Sequence, residues 1–189
     1  MFVLAHIGIT LGTATIVSGV FQGPHSLHKG KLSWFTGLGK FIDIRILMIG
    51  SLLPDIIDKT LGHYFLRDVF NNGRIFSHTL VFLVLISTLS IYLYKRYRQL
   101  WLATLSFGSL MHLVLDQMWL NPNTLFWPFL GIPFERLDIS DWLLGILKAI
   151  ISEPVLYIPE IMGTLILFLF CSELIHRHRF FTFIKTGKI

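Results

Sequence analysis

Apolar residues in this chain come in long blocks, not in alternation, so the elements it predicts are helices. Met1 to Phe21 is apolar and long enough to cross a bilayer, which takes about 20 helical residues. No basic stretch precedes it, which argues against a cleaved signal peptide. Gln22 to Lys40 is polar and glycine-rich and reads as a loop, with His25 and His28 in it. Phe41 to Leu53 is a second apolar run, short for a span, ending in Leu53-Pro54-Asp55-Ile56-Ile57-Asp58. Lys59 to Ile75 is a mixed loop. Phe76 to Tyr94 is a clear span, closed by Lys95-Arg96-Tyr97-Arg98, and Leu100 to Leu120 is a fourth. Asn121 to Ser152 reads as an interfacial loop with a short amphipathic helix near Ile139 to Ile151. Pro154 to Glu173 is the last span, followed by a short basic tail.

The expected fold is therefore all-α: a polytopic transmembrane helical bundle of about five spans. It forms a single domain over 1–189, with the polar motifs within 1–130 and the last span and tail in 154–189. Composition agrees. The chain is 53% hydrophobic and 14% charged, where soluble domains carry about 25% charged residues, and its mean hydropathy is +0.67. The net charge of +5 does not point to nucleic acid, because the basic residues cluster at the ends of apolar runs. Cys171 stands alone, which excludes an intrachain disulfide and a cysteine-based zinc site; it reads as apolar filler.

Basic residues also set an orientation. Lys95, Arg96, Arg98, Arg177, Arg179, Lys185 and Lys188 place the spans' basic ends and the C-terminus in the cytoplasm. Five spans then put the N-terminus outside and the Lys29 to Lys40 loop inside. That leaves ten basic residues inside and five outside (Lys59, Arg67, Arg74, Arg136 and Lys148), with Arg45 inside the second run.

This topology brings the costly polar residues together. His6 falls at the outer end of the first span, Asp55 and Asp58 at the outer end of the second, His78 at the outer start of the third, and His112 and Asp116 near the outer end of the fourth. Asp55 and Asp58 are i,i+3, and His112 and Asp116 are i,i+4, so each pair shares a helix face. An ionisable group at membrane depth is expensive and is a functional-site hypothesis by default. Singly, each has a blander reading: a packed histidine, a turn aspartate after proline, a self-contained His112–Asp116 pair. Their convergence at one level favours a metal site. Nitrogen and carboxylate donors suit zinc first, then manganese or iron, and six ligands have room for two ions about 3.5–4 Å apart. An ion there would acidify a bound water towards a pKa of ~7, with an aspartate outside the ligand set, such as Asp58, as base. Arg74 lies four residues before His78; on a helical extension it would face the same way and clamp a phosphate. His63 is a spare ligand or a loop residue. Glu160 faces the same cavity or makes a contact within the bundle. His176 and His178 contact solvent or headgroups, and Trp127 and Trp142 form an interfacial belt.

The ordered set of motifs resembles a known family. His6, then Leu52-Leu53-Pro54-Asp55-Ile56-Ile57-Asp58, Arg74-Ile75-Phe76-Ser77-His78-Thr79-Leu80, His112-Leu113-Val114-Leu115-Asp116 and Trp127-Pro128-Phe129 together resemble the LexA-regulated, membrane-bound metal-dependent hydrolases. The match covers about the first two thirds of the chain, and Gly73 stands where that family often has histidine. More remotely, the order of histidines and aspartates is similar to the zinc-dependent phospholipase C and single-strand nuclease group, although no His-x-x-x-Glu follows Asp116. These resemblances imply phosphoester hydrolysis. The expected activity is metal-dependent hydrolysis of a phosphoester such as a lipid headgroup, with membrane lipid as partner and no nucleic acid. A small transporter or channel is the first rival, but its polar residues should spread across the membrane depth. A non-catalytic scaffold held together by the polar cluster is the second.

Overall fold

A computed structural model describes residues 2–22, 35, 37–67, 69, 72–131 and 152–189. Within them, α1 spans Val3–Gln22, α2 Ile44–Thr60, α3 Leu80–Tyr97, α4 Trp101–Leu115, α5 Pro122–Leu125, α6 Pro154–His176 and α7 Phe180–Thr186. No strand occurs among the described residues. His25, His28, Arg136, Trp142, Lys148 and the amphipathic helix expected near Ile139 to Ile151 lie outside them.

Three helices among the described residues are long and apolar enough to cross a membrane: Val3–Val20, Leu80–Tyr97 and Pro154–His176. The expected count of five is therefore not reached on length. The 15 residues of α4 extend about 22 Å, against a hydrocarbon core of about 30 Å. The 17 residues of α2 carry Arg45, Asp55, Asp58 and Lys59. Both helices stop where the polar site begins, and they pack on each other inside the bundle.

Small residues make that packing close. A Cβ on Gly108 would lie 2.6 Å from the carbonyl carbon of Gly50, and one on Gly50 would lie 2.6 Å from the Leu105 carbonyl oxygen. Gly8 and Gly163 bring α1 and α6 into similar backbone contact. Such approaches suit a bundle in lipid, where packing and hydrogen bonds replace the hydrophobic drive. The contacts follow rising residue numbers on both partners (Gly8 with Gly163, Gly12 with Ile166), so α1 and α6 run in the same direction. Glu160 completes this pair: its carboxylate accepts from the Ala5 amide at 2.5 Å, one of the first-turn N–H groups with no partner inside the helix. That contact within the bundle is the role the structure gives Glu160.

Pro54 does not end α2, although the apolar run stops at Leu53. Proline lacks the N–H that the carbonyl four residues earlier would accept. That carbonyl belongs to Gly50, and Ser109 Oγ donates to it at 3.2 Å. The helix therefore runs on through Asp55 and Asp58 and closes in a π turn over Leu61–Phe65. The span expected from Phe76 instead starts at Leu80, capped by Thr79, whose side chain accepts from the Phe82 amide. Asp116 caps α4, and Gln117 at φ 52° turns the chain out of it.

The apolar core sits at the end of the bundle away from the site, where Leu11, Ala14, Ile44, Leu47, Phe170 and Leu174 pack together. The basic tail forms α7 and docks there. Arg45 Nη1 donates to the Ile184 carbonyl at 2.6 Å, and the Ile44 amide to the Gly187 carbonyl at 3.0 Å. Gly187 has φ +69°, and a side chain on it would collide with the Asp43 carboxylate.

Two outcomes are expected. Gly108→Leu forces α2 and α4 apart and costs ~3 kcal/mol; an unchanged thermal unfolding midpoint in detergent would contradict the packing. The second concerns Asp43, whose carboxyl the hydrogen bond from Arg45 holds below its ordinary 3.8. A lowered folded pKa means that the contact is fully present above the unfolded value and is lost as pH falls through the lowered one. Proteolysis at Arg177 and Arg179 should therefore rise in strong acid, and Asp43→Asn should reproduce that rise at neutral pH. Equal protection of the tail in wild type and Asp43→Asn at neutral pH would refute this.

Candidate metal centre

The site forms where α1 begins and where α2 and α4 end, closed by the segment before α3. Asp58 sets that segment. Fully buried, its carboxylate accepts from the backbone amides of Ile75 (2.8 Å), Phe76 (3.2 Å), Ser77 (2.9 Å) and His78 (3.2 Å). Four consecutive amides converging on one anion make a cradle of the kind backbone nests form. Ser77 Oγ adds a bond to the Pro54 carbonyl at 2.8 Å. Residues 74–79 are therefore a turn wrapped on a carboxylate, not the helical extension expected from the Arg74–His78 spacing. The backbone satisfies its donors on Asp58 and not on an i−4 carbonyl.

The same carboxylate fixes a ring. His78 Nδ1 lies 2.7 Å from Asp58 Oδ2. A carboxylate held by amides only accepts, so Nδ1 carries a proton and Nε2 is the nitrogen turned towards the site. His112 repeats the logic. Its Nδ1 lies 2.7 Å from the Ser51 carbonyl, which also only accepts. The two Nε2 atoms face each other at 3.2 Å. At that distance two ring nitrogens share either a proton, as an N–H···N hydrogen bond, or a metal ion.

Around this pair stand three more donors. His6 stacks on His112 with ring centroids 4.0 Å apart. Among the described residues neither of its buried nitrogens finds a hydrogen-bond partner, although Nε2 is 3.3 Å from Asp116 Oδ1. Asp55 Oδ1 is 3.6 Å from His78 Nε2 and 3.8 Å from His112 Nε2. Asp116 Oδ2 is 4.0 Å from His78 Nε2. Two triads, His6–Asp55–His112 and His78–His112–Asp116, each bring three ligand atoms within 4.8 Å of one another. Tetrahedral zinc with nitrogen ligands at about 2.0–2.1 Å spaces its donors by about 3.3 Å, so the shorter separations already match an ion's. A buried imidazole pair with both outer nitrogens anchored, beside a third imidazole without hydrogen bonds among the described residues, is a donor set that fits a divalent cation. His112 has one lone pair to give and belongs to both triads, so the five side chains form one centre.

Of the residues singled out in the sequence, His6, Asp55, His78, His112 and Asp116 meet here. Asp58 does not join either triad; it orients His78. Arg74 arrives through the turn, with Nη2 donating to Asp116 Oδ2 at 2.7 Å. His63 lies in the π turn beside Gly73 and is a member of neither triad. His176 and His178 are exposed at the far end. Trp127 stacks edge-on against Phe76 at 5.5 Å. Two participants went unnoticed in the sequence. Ser51 acts through its carbonyl, which no side-chain pattern can reveal. Lys59 donates to Asp55 Oδ2 at 2.6 Å, and its i,i+4 spacing from Asp55 was a visible signal.

The profile described as YdjM inner membrane protein matches residues 1–182 of the chain. No curated protein and no solved structure matches it. The chain belongs to the YdjM inner membrane protein family, in keeping with the LexA-regulated membrane family that its motifs resemble. Family and apolar helices together make it an integral inner-membrane protein.

Replacing Asp58 by Ala would strand three buried amides and a part-buried fourth at once. A loss of at least ~3 kcal/mol is expected, read as a lower unfolding midpoint, with Asp58→Asn intermediate. A Asp58→Ala variant as stable as wild type would refute the anchoring role.

Proposed function

We propose that this protein is a membrane-embedded metal-dependent hydrolase acting on a phosphoester, with a lipid or lipid-linked headgroup as the natural substrate class. His6, Asp55, His78, His112 and Asp116 would hold a divalent cation, zinc foremost, with manganese or iron as the alternatives. The observation that carries the reading is the 3.2 Å approach of His78 Nε2 and His112 Nε2, each ring anchored through its Nδ1. A bound cation supplies Lewis acidity and an acidified water.

The chain's own residues account for the rest. Asp58 and the Ser51 carbonyl hold the Nδ1 protons and keep both rings facing inward. Arg74 ties down Asp116 while 43% of its side chain remains exposed, which suits it to bind an anionic substrate group as well. Asp55, with one oxygen towards the imidazoles and 15% exposure, is the more solvent-exposed of the two carboxylate ligands. Asp58 is too committed to its amides to serve as base. Polar groups gathered at one end of the bundle favour a site over a conduction path. The distribution of basic residues supports a cytoplasmic C-terminus and a site towards the outer leaflet.

His112→Ala and Asp116→Ala should each abolish metal binding while the bundle stays folded, as judged by metal analysis and circular dichroism. Purified wild-type protein that retains no zinc, manganese or iron, even after reloading, would overturn the reading.

A further inference from the structure

Two cations flank the candidate centre on its more exposed side. Asp55 and Asp116 each turn one oxygen inward: Asp55 Oδ1 towards His78 and His112, and Asp116 Oδ1 towards His6. The other oxygen of each is held from outside. Lys59 Nζ lies 2.6 Å from Asp55 Oδ2, and Arg74 Nη2 lies 2.7 Å from Asp116 Oδ2. Exposure rises outward in step. The carboxylate side chains are 15% and 3% exposed, and the cations 54% and 43%. Gly73 lets Lys59 pack close to the turn. A Cβ there would lie 3.3 Å from Lys59 Cγ, and Arg74 is the next residue, so Lys59 lies against the turn that carries Arg74.

An exposed i,i+4 lysine–aspartate pair contributes little by itself. Here its carboxylate belongs to the proposed ligand set, which changes its meaning. A divalent cation drawing on the inner oxygens of Asp55 and Asp116 competes with Lys59 and Arg74 for the negative charge of the same carboxylates. Three positive centres then stand around two carboxylates, an excess of positive charge that favours an anion. The ammonium offers three N–H donors around a point charge and the guanidinium a planar fork of five. Together they match the free oxygens of a phosphoryl group.

We propose that Lys59 and Arg74 are the two arms of an anion clamp over the centre, and that it selects substrates presenting a phosphate with free oxygens over neutral esters. The centre beneath the clamp is the one proposed above, so this inference rests on that reading for its chemistry. A phospholipid headgroup and a soluble phosphoester present the same group, and the experiment separates them.

The test uses the full chain in nanodiscs, with inorganic phosphate as probe and bound metal per chain measured in parallel. In phosphatidylcholine discs, metal-loaded protein should bind phosphate. Lys59→Gln and Arg74→Gln should each weaken binding about tenfold with metal content unchanged, and Lys59→Arg should restore most of it. In discs carrying phosphatidic acid, weaker apparent phosphate binding supports the clamp with a lipid headgroup as its ligand. Unchanged binding that still depends on Lys59 and Arg74 supports it with a soluble phosphoester. Wild-type protein that binds metal but not phosphate, or that binds phosphate equally well in both Gln variants, overturns the clamp and leaves the metal centre standing. Phosphate binding that requires Lys59 and Arg74 in a chain without metal affinity does the reverse.

Discussion

The buried carboxylate of Asp58 is the constraint on which the rest of the site depends. A charge so far from water survives only with its oxygens fully engaged, and here four successive amides and an imidazole engage them. One side chain thereby shapes the turn before α3 and orients the ring of His78. The cost of burying it is offset locally, and the remaining polar groups inherit a fixed frame.

Backbone proximity does for His112 what the carboxylate does for His78. Gly50 and Gly108 let α2 and α4 touch, and only at that distance does the Ser51 carbonyl reach the His112 ring. Pro54 contributes by freeing the Gly50 carbonyl for Ser109. Small residues, a proline and two hydroxyls thus act together to aim two imidazoles at one point. This is why α2 and α4 are short. They are scaffolds that end at the site, while α1, α3 and α6 have the length to cross the bilayer.

Much of this was legible in the sequence, for reasons that can be named. Apolar blocks marked the helices, and the membrane cost of charge marked His6, Asp55, Asp58, His78, His112 and Asp116 as residues needing company. Their depth followed from alternating direction along the chain. What failed was finer. Three residues on a helix leave about 60° between side chains, enough to send Asp55 into the centre and Asp58 away from it. The Arg74–His78 spacing suggested a helix because it takes no account of amides captured by a distant carboxylate. The Ser51 carbonyl and the docking of α7 depend on tertiary contact alone, and α4 was overestimated because Gln117 turns the chain before the apolar run is over.

The central claim is that five side chains, His6, Asp55, His78, His112 and Asp116, act as one set of metal ligands. X-ray absorption at the zinc edge of purified, zinc-loaded protein tests it most directly. The account predicts one ion per chain in a nitrogen and oxygen shell, with the outer scattering of at least two imidazoles, lost in a His78→Ala, His112→Ala double variant. A shell without imidazole scattering, or a spectrum unchanged by that double variant, would contradict it.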